Sequence, residues 1–358
     1  MQRALLRRLA SAVLMAVTVL FIWVPGAIGR KESELIEVAA SKYQWTGIAV
    51  SREGRIFASY PRWSGTVPFS VAELMPDGTV KPFPDKEWNT WNAGLPPREH
   101  LICVQSVYID SNNFLWILDA ANPNFEGVIK DGPKILKVDL RTNQVIQKIY
   151  LDETAAPYTS YLNDIRIDTK REYAYISDSG LGALLAVDLV KGQARRLLSE
   201  HFSTTSDKTI VTVKGKKWRR PDGRLLPFHV DGIALDREGR YFYFHALSGQ
   251  ILYRIDAKWL YDPNLQDQRP KVEAIEETGP VDGIEFGPDG SLYLAAVEKN
   301  AILRLSPDQK LSLFIQDARL SWPDSFAAGP DGNMYVTTSQ SHLWNEPVEP
   351  YRIFKFKL

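Results

Sequence analysis

The chain has a single cysteine, Cys103, among its 358 residues. One thiol cannot make an intramolecular disulfide, a CxxC redox pair or a zinc–thiolate cluster. Its place in the apolar run Leu101-Ile102-Cys103-Val104 reads as a buried, inert thiol rather than a nucleophile. Histidine is scarce too, at five residues. None is set in a nucleophile-elbow context and no GxSxG is present, which dismisses a serine-type catalytic triad. Net charge is also missing: 43 basic residues offset 43 acidic ones, which argues against a generic nucleic-acid binder. Aromatic residues, by contrast, are plentiful, with 10 Trp, 15 Tyr and 15 Phe. That composition suits β-structure better than helix bundles.

The N-terminus reads as a targeting segment. Arg3, Arg7 and Arg8 precede an apolar run from Leu9 to Val24, and Ala27-Ile28-Gly29 offers small residues at the cleavage positions. Cleavage after Gly29 is expected, which would release a soluble protein, periplasmic or secreted. The run is also nearly long enough to span a bilayer uncut, because a spanning helix needs about 20 residues. An N-terminal membrane anchor at 1–29 therefore stays open, and either outcome exports residues 30–358.

Within 30–358 one pattern recurs six times: a polar residue, a small or polar one, an apolar strand, a tight turn, then a strand with an aromatic. It reads TGIAVSREGRIFAS from Thr46, QSVYIDSNNFLWILD from Gln105 and NDIRIDTKREYAYISDS from Asn163. It returns as DGIALDREGRYFYFHA from Asp231, DGIEFGPDGSLYLAA from Asp282 and DSFAAGPDGNMYVTT from Asp324. The first apolar anchors (Ile48, Val107, Ile165, Ile233, Ile284, Phe326) fall 59, 58, 68, 51 and 42 residues apart. Such intervals fit four-stranded blades with variable loops. The fold class expected is all-β: a single six-bladed β-propeller with a central channel. Runs such as Lys134–Leu140 and Ala183–Leu189 supply outer strands, and Tyr351–Lys357 is expected to close the ring against residues 34–39. The stretch 61–98, rich in Pro and Trp, is expected to pack over one face of blade one. The basic insertion 206–226 reads as a solvated hairpin or, alternatively, as a lid or a patch for an anionic partner.

The geometry of the repeat directs attention to polar residues. The first strand of every blade lines the channel in one direction, so the residues just before it meet at one mouth: Thr46, Gln105, Asn163, Asp231, Asp282 and Asp324. The second strand returns to that mouth, bringing Asp119, Asp178, His245 and Thr338. Three facing carboxylates raise one another's pKa and need compensation. A hard cation would supply it, calcium or another divalent ion held by Asn163, Asp231, Asp282 and Asp324 through oxygen. Without clustered Cys or His, zinc and copper are disfavoured. The alternative is that these residues only cap strand starts as Asx turns do. His245 and His229 are the candidate acid–base histidines, with a structural role the competing reading for each.

The phrases SYLNDIRID (160–168), YISDSG (175–180), DGIAL with YFYFHALS (231–248) and SWPDSFAAGPDG (321–332) resemble the yellow/major royal jelly protein family. YPRWSG, PFPDKEWN, TTSQSHLW and PYRIFKFKL extend the resemblance over nearly all of the chain after residue 40. It implies an exported six-bladed propeller whose members include dopachrome-converting tautomerases, amine-binding proteins and proteins with no known reaction. More distantly, the chain is similar to the senescence-marker/gluconolactonase propellers, where a Glu, two Asn and an Asp hold a divalent metal. Asn163 matches one Asn, Asp231 stands where the second would, and Asp282 matches the Asp. Thr46 replaces the expected Glu, and Asp324 adds a carboxylate.

Three functions follow as expectations. The first is a dopachrome-tautomerase-like isomerase, with Asp231, Asp282 or Asp324 as base and His245 as proton donor. The second is a metal-dependent lactone hydrolase. The third is a non-catalytic propeller that captures a small amine or phenolic compound. All three take a small molecule (aromatic amine, quinone or lactone) and none takes nucleic acid. A membrane is involved only through an uncleaved N-terminus, and the protein is expected to be a monomer.

Overall fold

Alternating apolar strands with polar turns fold here as six four-stranded antiparallel sheets set around one axis in a computed structural model. The structure describes residues 34–63, 67–220, 223–225, 227–265, 270–344 and 346–358. The expected targeting segment, 1–29, lies outside them. Among the described residues no helix is long and apolar enough to cross a membrane.

The innermost strands are Ile48–Val50, Val104–Ile109, Leu162–Asp168, Val230–Leu235, Val281–Phe286 and Pro323–Ala328. Each neighbours the next, and the sixth returns to the first. Closure follows the sequence expectation closely: Ile36–Ser41 pairs antiparallel with Tyr351–Lys357, from Ile36 opposite Lys355 to Ser41 opposite Tyr351. The first described strand thereby becomes the outer edge of blade six, so the ring is fastened by pairing the first and last of the described strands.

Hydrophobic burial sits between blades. Each of the six interfaces holds its own cluster. One packs Trp116, Leu118 and Ile135 of blade two against Ile165, Ile176 and Leu185 of blade three. Another packs Tyr293 and Ile302 of blade five against Phe326, Met334 and Phe354 of blade six. The recurring aromatic of the second strand belongs to these clusters, and in blades two, five and six its polar end is tied to the hairpin turn before it. Trp116 donates to Asp110 (2.8 Å), Tyr293 to Asp289 (3.1 Å) and Tyr335 to Asp331 (3.1 Å). Burying each ring contributes about 1.5–3 kcal/mol, and the bond avoids leaving a buried donor unmet.

The stretch after Pro61 differs from expectation. It supplies the outer half of blade one itself, through Val71–Leu74 and Val80–Pro82, followed by a single helical turn at Lys86–Asn89. These strands are only 4 and 3 residues long, too short for the alternation of a strand to stand out.

Two local features shape the channel mouth. In blades two to six the pairing of first and second strand slips by one residue at the polar position. The shift lies between Val104 and Ser106, Leu162 and Ile165, Val230 and Ile233, Val281 and Ile284, and Pro323 and Phe326. A β-bulge of this kind re-aims a side chain, here that of Gln105, Asn163, Asp231, Asp282 or Asp324. The glycine after Asp231 and Asp282 then lets neighbouring strands touch. An added Cβ would stand 2.2 Å from the Asp282 carbonyl oxygen at Gly232, and 2.2 Å from that of Asp324 at Gly283.

Candidate active site at the channel mouth

The five re-aimed residues, Gln105, Asn163, Asp231, Asp282 and Asp324, form the floor of one pocket. All five are buried. Asn163 donates from Nδ2 to Asp231 Oδ2 at 2.5 Å. The carboxyl groups of Asp231 and Asp282 come within hydrogen-bonding reach of each other, an approach that favours one of them carrying a proton. Trp322 Nε1 donates to Asp282 Oδ2 at 2.6 Å, and Ser325 Oγ lies 3.0 Å from Asp324 Oδ1. All three aspartates are pushed well above the usual carboxylate range. Burial is the main cause, and the next is the neighbouring charge: Asp324 on Asp231, Asp231 on Asp282, and Asp282 on Asp324.

Aromatic rings wall the pocket: Trp63, Phe125, Tyr161, Trp218, Phe228, Trp322 and Trp344. They form an unbroken chain. Phe125 lies 5.5 Å from Trp63, 4.7 Å from Tyr161 and 5.9 Å from Phe228. Trp218 then stacks on Phe228 at 4.9 Å and meets Trp322 at 4.7 Å and Trp344 at 6.0 Å. Phe125, Trp322 and Trp344 hold left-handed backbone, at φ 57°, 59° and 54°. Bulky residues reach that region only where surrounding contacts impose it. Tyr161 links wall to floor by donating to Gln105 Oε1 at 3.0 Å and accepting from Trp63 Nε1.

A buried cation bridges two blades across the axis. Arg166 of blade three pairs with Asp164 (2.7 Å) and with Glu285 of blade five (3.1 Å), and donates to the Ile284 carbonyl (2.8 Å). The aromatic rings and the three aspartates line one and the same pocket.

Other expected site residues sit elsewhere. Thr46 is buried, its hydroxyl donating to the Gln105 carbonyl (3.0 Å) beside Ser59, and Gln44 lines the pocket for blade one instead. Asp119 accepts from the backbone of Ile102, Cys103 and Ala121 and pairs with Lys134 at 2.8 Å. Asp178 does the same for Tyr161, Gly180 and Leu181 and pairs with Arg196 at 2.8 Å. Thr338 bonds the backbone of Arg352. These four hold loops and edges together rather than line the mouth.

His245 also fails to reach the pocket. The position equivalent to Asp119, Asp178 and Thr338 is Ala246, opposite Val230. An offset of one residue turns a strand side chain to the other face. His245 is buried beside Thr278 Oγ1 (2.8 Å), and burial lowers its pKa to about 4. The backbone N–H of Ser206 donates to His229 Nδ1 at 2.9 Å, and His229 does not line the pocket.

The same residues bear on cation binding. Among those described, no group of three or more His, Cys, Asp and Glu stands where it could hold a metal ion. Donor N–H groups of Asn163 and Trp322 face the carboxylates that a cation would need. As arranged, Asn163, Asp231, Asp282 and Asp324 do not fit a calcium site.

The family model described as major royal jelly protein matches residues 102–343. The chain belongs to the major royal jelly protein family. No curated protein matches it by sequence. Among solved structures, a luciferin-regenerating enzyme superposes with a TM-score of 0.58 at 11% identity, over 91% of this chain and 95% of that one. A gluconolactonase from Xanthomonas campestris gives 0.56 at 10% identity over 90% of each chain. The calcium-binding protein regucalcin from Agrobacterium tumefaciens gives 0.54 at 13%, over 90% and 95%. At such identities the likeness shows the propeller and no more.

In this royal-jelly-family propeller the basic insertion roofs part of the mouth. Its hairpin, Thr212–Val213 with Lys216–Lys217, buries Val211, Val213 and Trp218 against Leu247, Val297 and Trp322. Lys214, Lys216 and Lys217 stay exposed. The aromatic wall was not foreseen, although a signal for two of its members was present. Tyr161 and Trp322 each stand two residues before a floor residue, Asn163 and Asp324.

Proposed function

We propose that the channel mouth is the active site of an isomerase that moves a proton on a small planar substrate of the aminochrome class, as a dopachrome-type tautomerase would. The observation that carries this reading is the Asp231–Asp282 pair, two buried carboxyls within reach of each other at the floor of an aromatic slot. Two carboxyls held together cannot both ionise easily, so one stays acid while the other serves as base. In a tautomerisation the ionised member takes a proton from a ring carbon and the protonated member delivers one to the carbonyl oxygen. The pair ends with one proton in total, as it began. No histidine is needed, which suits the removal of His245 from the site.

The rings would hold a flat substrate by stacking and exclude water around the pair, which strengthens the charge interactions within. The test is to follow decay of dopachrome spectroscopically with the wild type, Asp231→Asn and Asp282→Asn. A proton-transfer role predicts at least about a hundredfold loss in each variant. Equal rates in all three, or no acceleration by the wild type, would reject the reading.

A second reading, capture of an amine without turnover, is favoured by the same rings above acidic groups, a setting that attracts an organic cation. Saturable binding of dopamine without any product would select it.

A further inference from the structure

The two ends of the vestibule carry opposite charge. Its floor holds Asp231, Asp282 and Asp324, whereas the insertion that roofs it brings cations. After Trp218 enters the wall, its indole donates to the Ser341 carbonyl at 3.2 Å, and Trp344 Nε1 donates to the carbonyl of Arg219. These two bonds pin the strap to blade six. The next residue, Arg220, is half-buried and places its guanidinium 6.0 Å over the ring of Phe125 from blade two. Phe125 is itself a wall residue. The strap thus crosses the rim and leaves a guanidinium against the aromatic wall.

Arg220 makes no ion pair with any described carboxylate; even Glu126, next to Phe125, does not pair with it. Lys214, on the same hairpin, is exposed and lies close enough to oppose protonation of His342, which stacks on Trp322. The rim is therefore cationic on two sides, while the floor is acidic. A guanidinium that no described carboxylate pairs, held 6.0 Å over a ring of the wall, can take a carboxylate in a forked, two-bond contact.

We propose that Arg220 is a specificity-determining residue that reads a carboxylate on the outer end of the ligand. The site accordingly prefers zwitterionic, amino-acid-derived aromatics to the same compounds lacking the carboxylate. This inference rests on the vestibule being the ligand site. It does not depend on whether the bound compound is turned over.

The experiment compares binding of L-DOPA and dopamine, which differ by that carboxylate, to the full folded chain. Quenching of tryptophan fluorescence is the readout, since Trp63, Trp218, Trp322 and Trp344 line the site. The wild type is expected to bind L-DOPA about five- to tenfold more tightly, the range of one good charged contact at a partly exposed site. Arg220→Glu should invert the preference, and Arg220→Gln should bring it near one. The methyl ester of L-DOPA should bind the wild type like dopamine, a control that needs no variant to fold. Equal wild-type affinity for L-DOPA and its ester, or a preference unchanged in both variants, would overturn the proposal. A retained preference with no isomerisation of dopachrome would instead defeat only the catalytic reading.

Discussion

Two sets of buried aspartates stand within the same propeller, and they are held in opposite ways. Asp119 and Asp178, at the ends of second strands, each accept three backbone N–H groups and face a cation, Lys134 or Arg196. Asp231, Asp282 and Asp324, at the starts of first strands, face one another, with a donor or two apiece from side chains such as Asn163, Trp322 and Ser325. Burial is similar in both sets. What differs is compensation. A fully bonded, paired carboxylate fastens structure, whereas carboxyls left to share protons are poised to exchange them.

The largest expected effect comes from breaking the first set. Asp119 and Lys134 have no exposed side-chain surface. Asp119→Ala strands a buried ammonium and three N–H groups, at a cost of about 3–5 kcal/mol. Chemical denaturation should show a correspondingly lower midpoint or an unfolded chain. A loss under 1 kcal/mol would show that the bonding of this aspartate carries little of the fold.

The second set should answer differently. Asp324→Asn should keep the fold and raise the melting temperature at neutral pH by about 2 °C or more, because a costly buried charge is removed. Folded-state pKa values above the unfolded one mean that the native state binds more protons. Stability contributed by the protonated groups is complete below the unfolded pKa, about 3.9, and declines as pH rises through the folded values. Melting curves across pH should show this decline in the wild type, and a shallower one in Asp324→Asn.

A smaller effect is expected from Trp322→Phe, which keeps a ring against Trp218 and removes the N–H bonded to Asp282. That bond favours ionised Asp282, so its loss should move the acid limb of the activity or binding profile to higher pH. An unmoved limb with a lower affinity would make Trp322 a packing residue only. The smallest effect expected is that of chelator. Because the N–H groups of Asn163 and Trp322 face the floor carboxylates, dialysis against EDTA should leave melting temperature and ligand affinity unchanged, and near-stoichiometric calcium in the purified protein would contradict this.

Much of this contrast could be read from sequence, and its limits are instructive. The hairpin repeats and their spacing sufficed for six blades. Pseudo-symmetry placed Gln105, Asn163, Asp231, Asp282 and Asp324 together because each stands at an equivalent start of strand. Equivalence stops helping where register matters by a single residue: the repeat pattern points to His245, whereas Ala246 holds the equivalent position. It also could not separate Asp119 from Asp282, since their difference lies in donors from Ile102, Cys103 and Lys134 that only the folded loops bring near. The aromatic wall draws Trp63, Phe125, Trp218 and Trp344 from loops in different blades, where no repeat relates them.

The proposed chemistry rests on Asp231 and Asp282 sharing a proton at neutral pH. Infrared spectroscopy of protonated carboxyl groups tests it most directly, with the wild type compared against the Asp231→Asn/Asp282→Asn double variant. The account predicts a protonated-carboxyl band at pH 7 in the wild type that diminishes in the double variant. A wild type without such a band, or a band equal in both proteins, would contradict it.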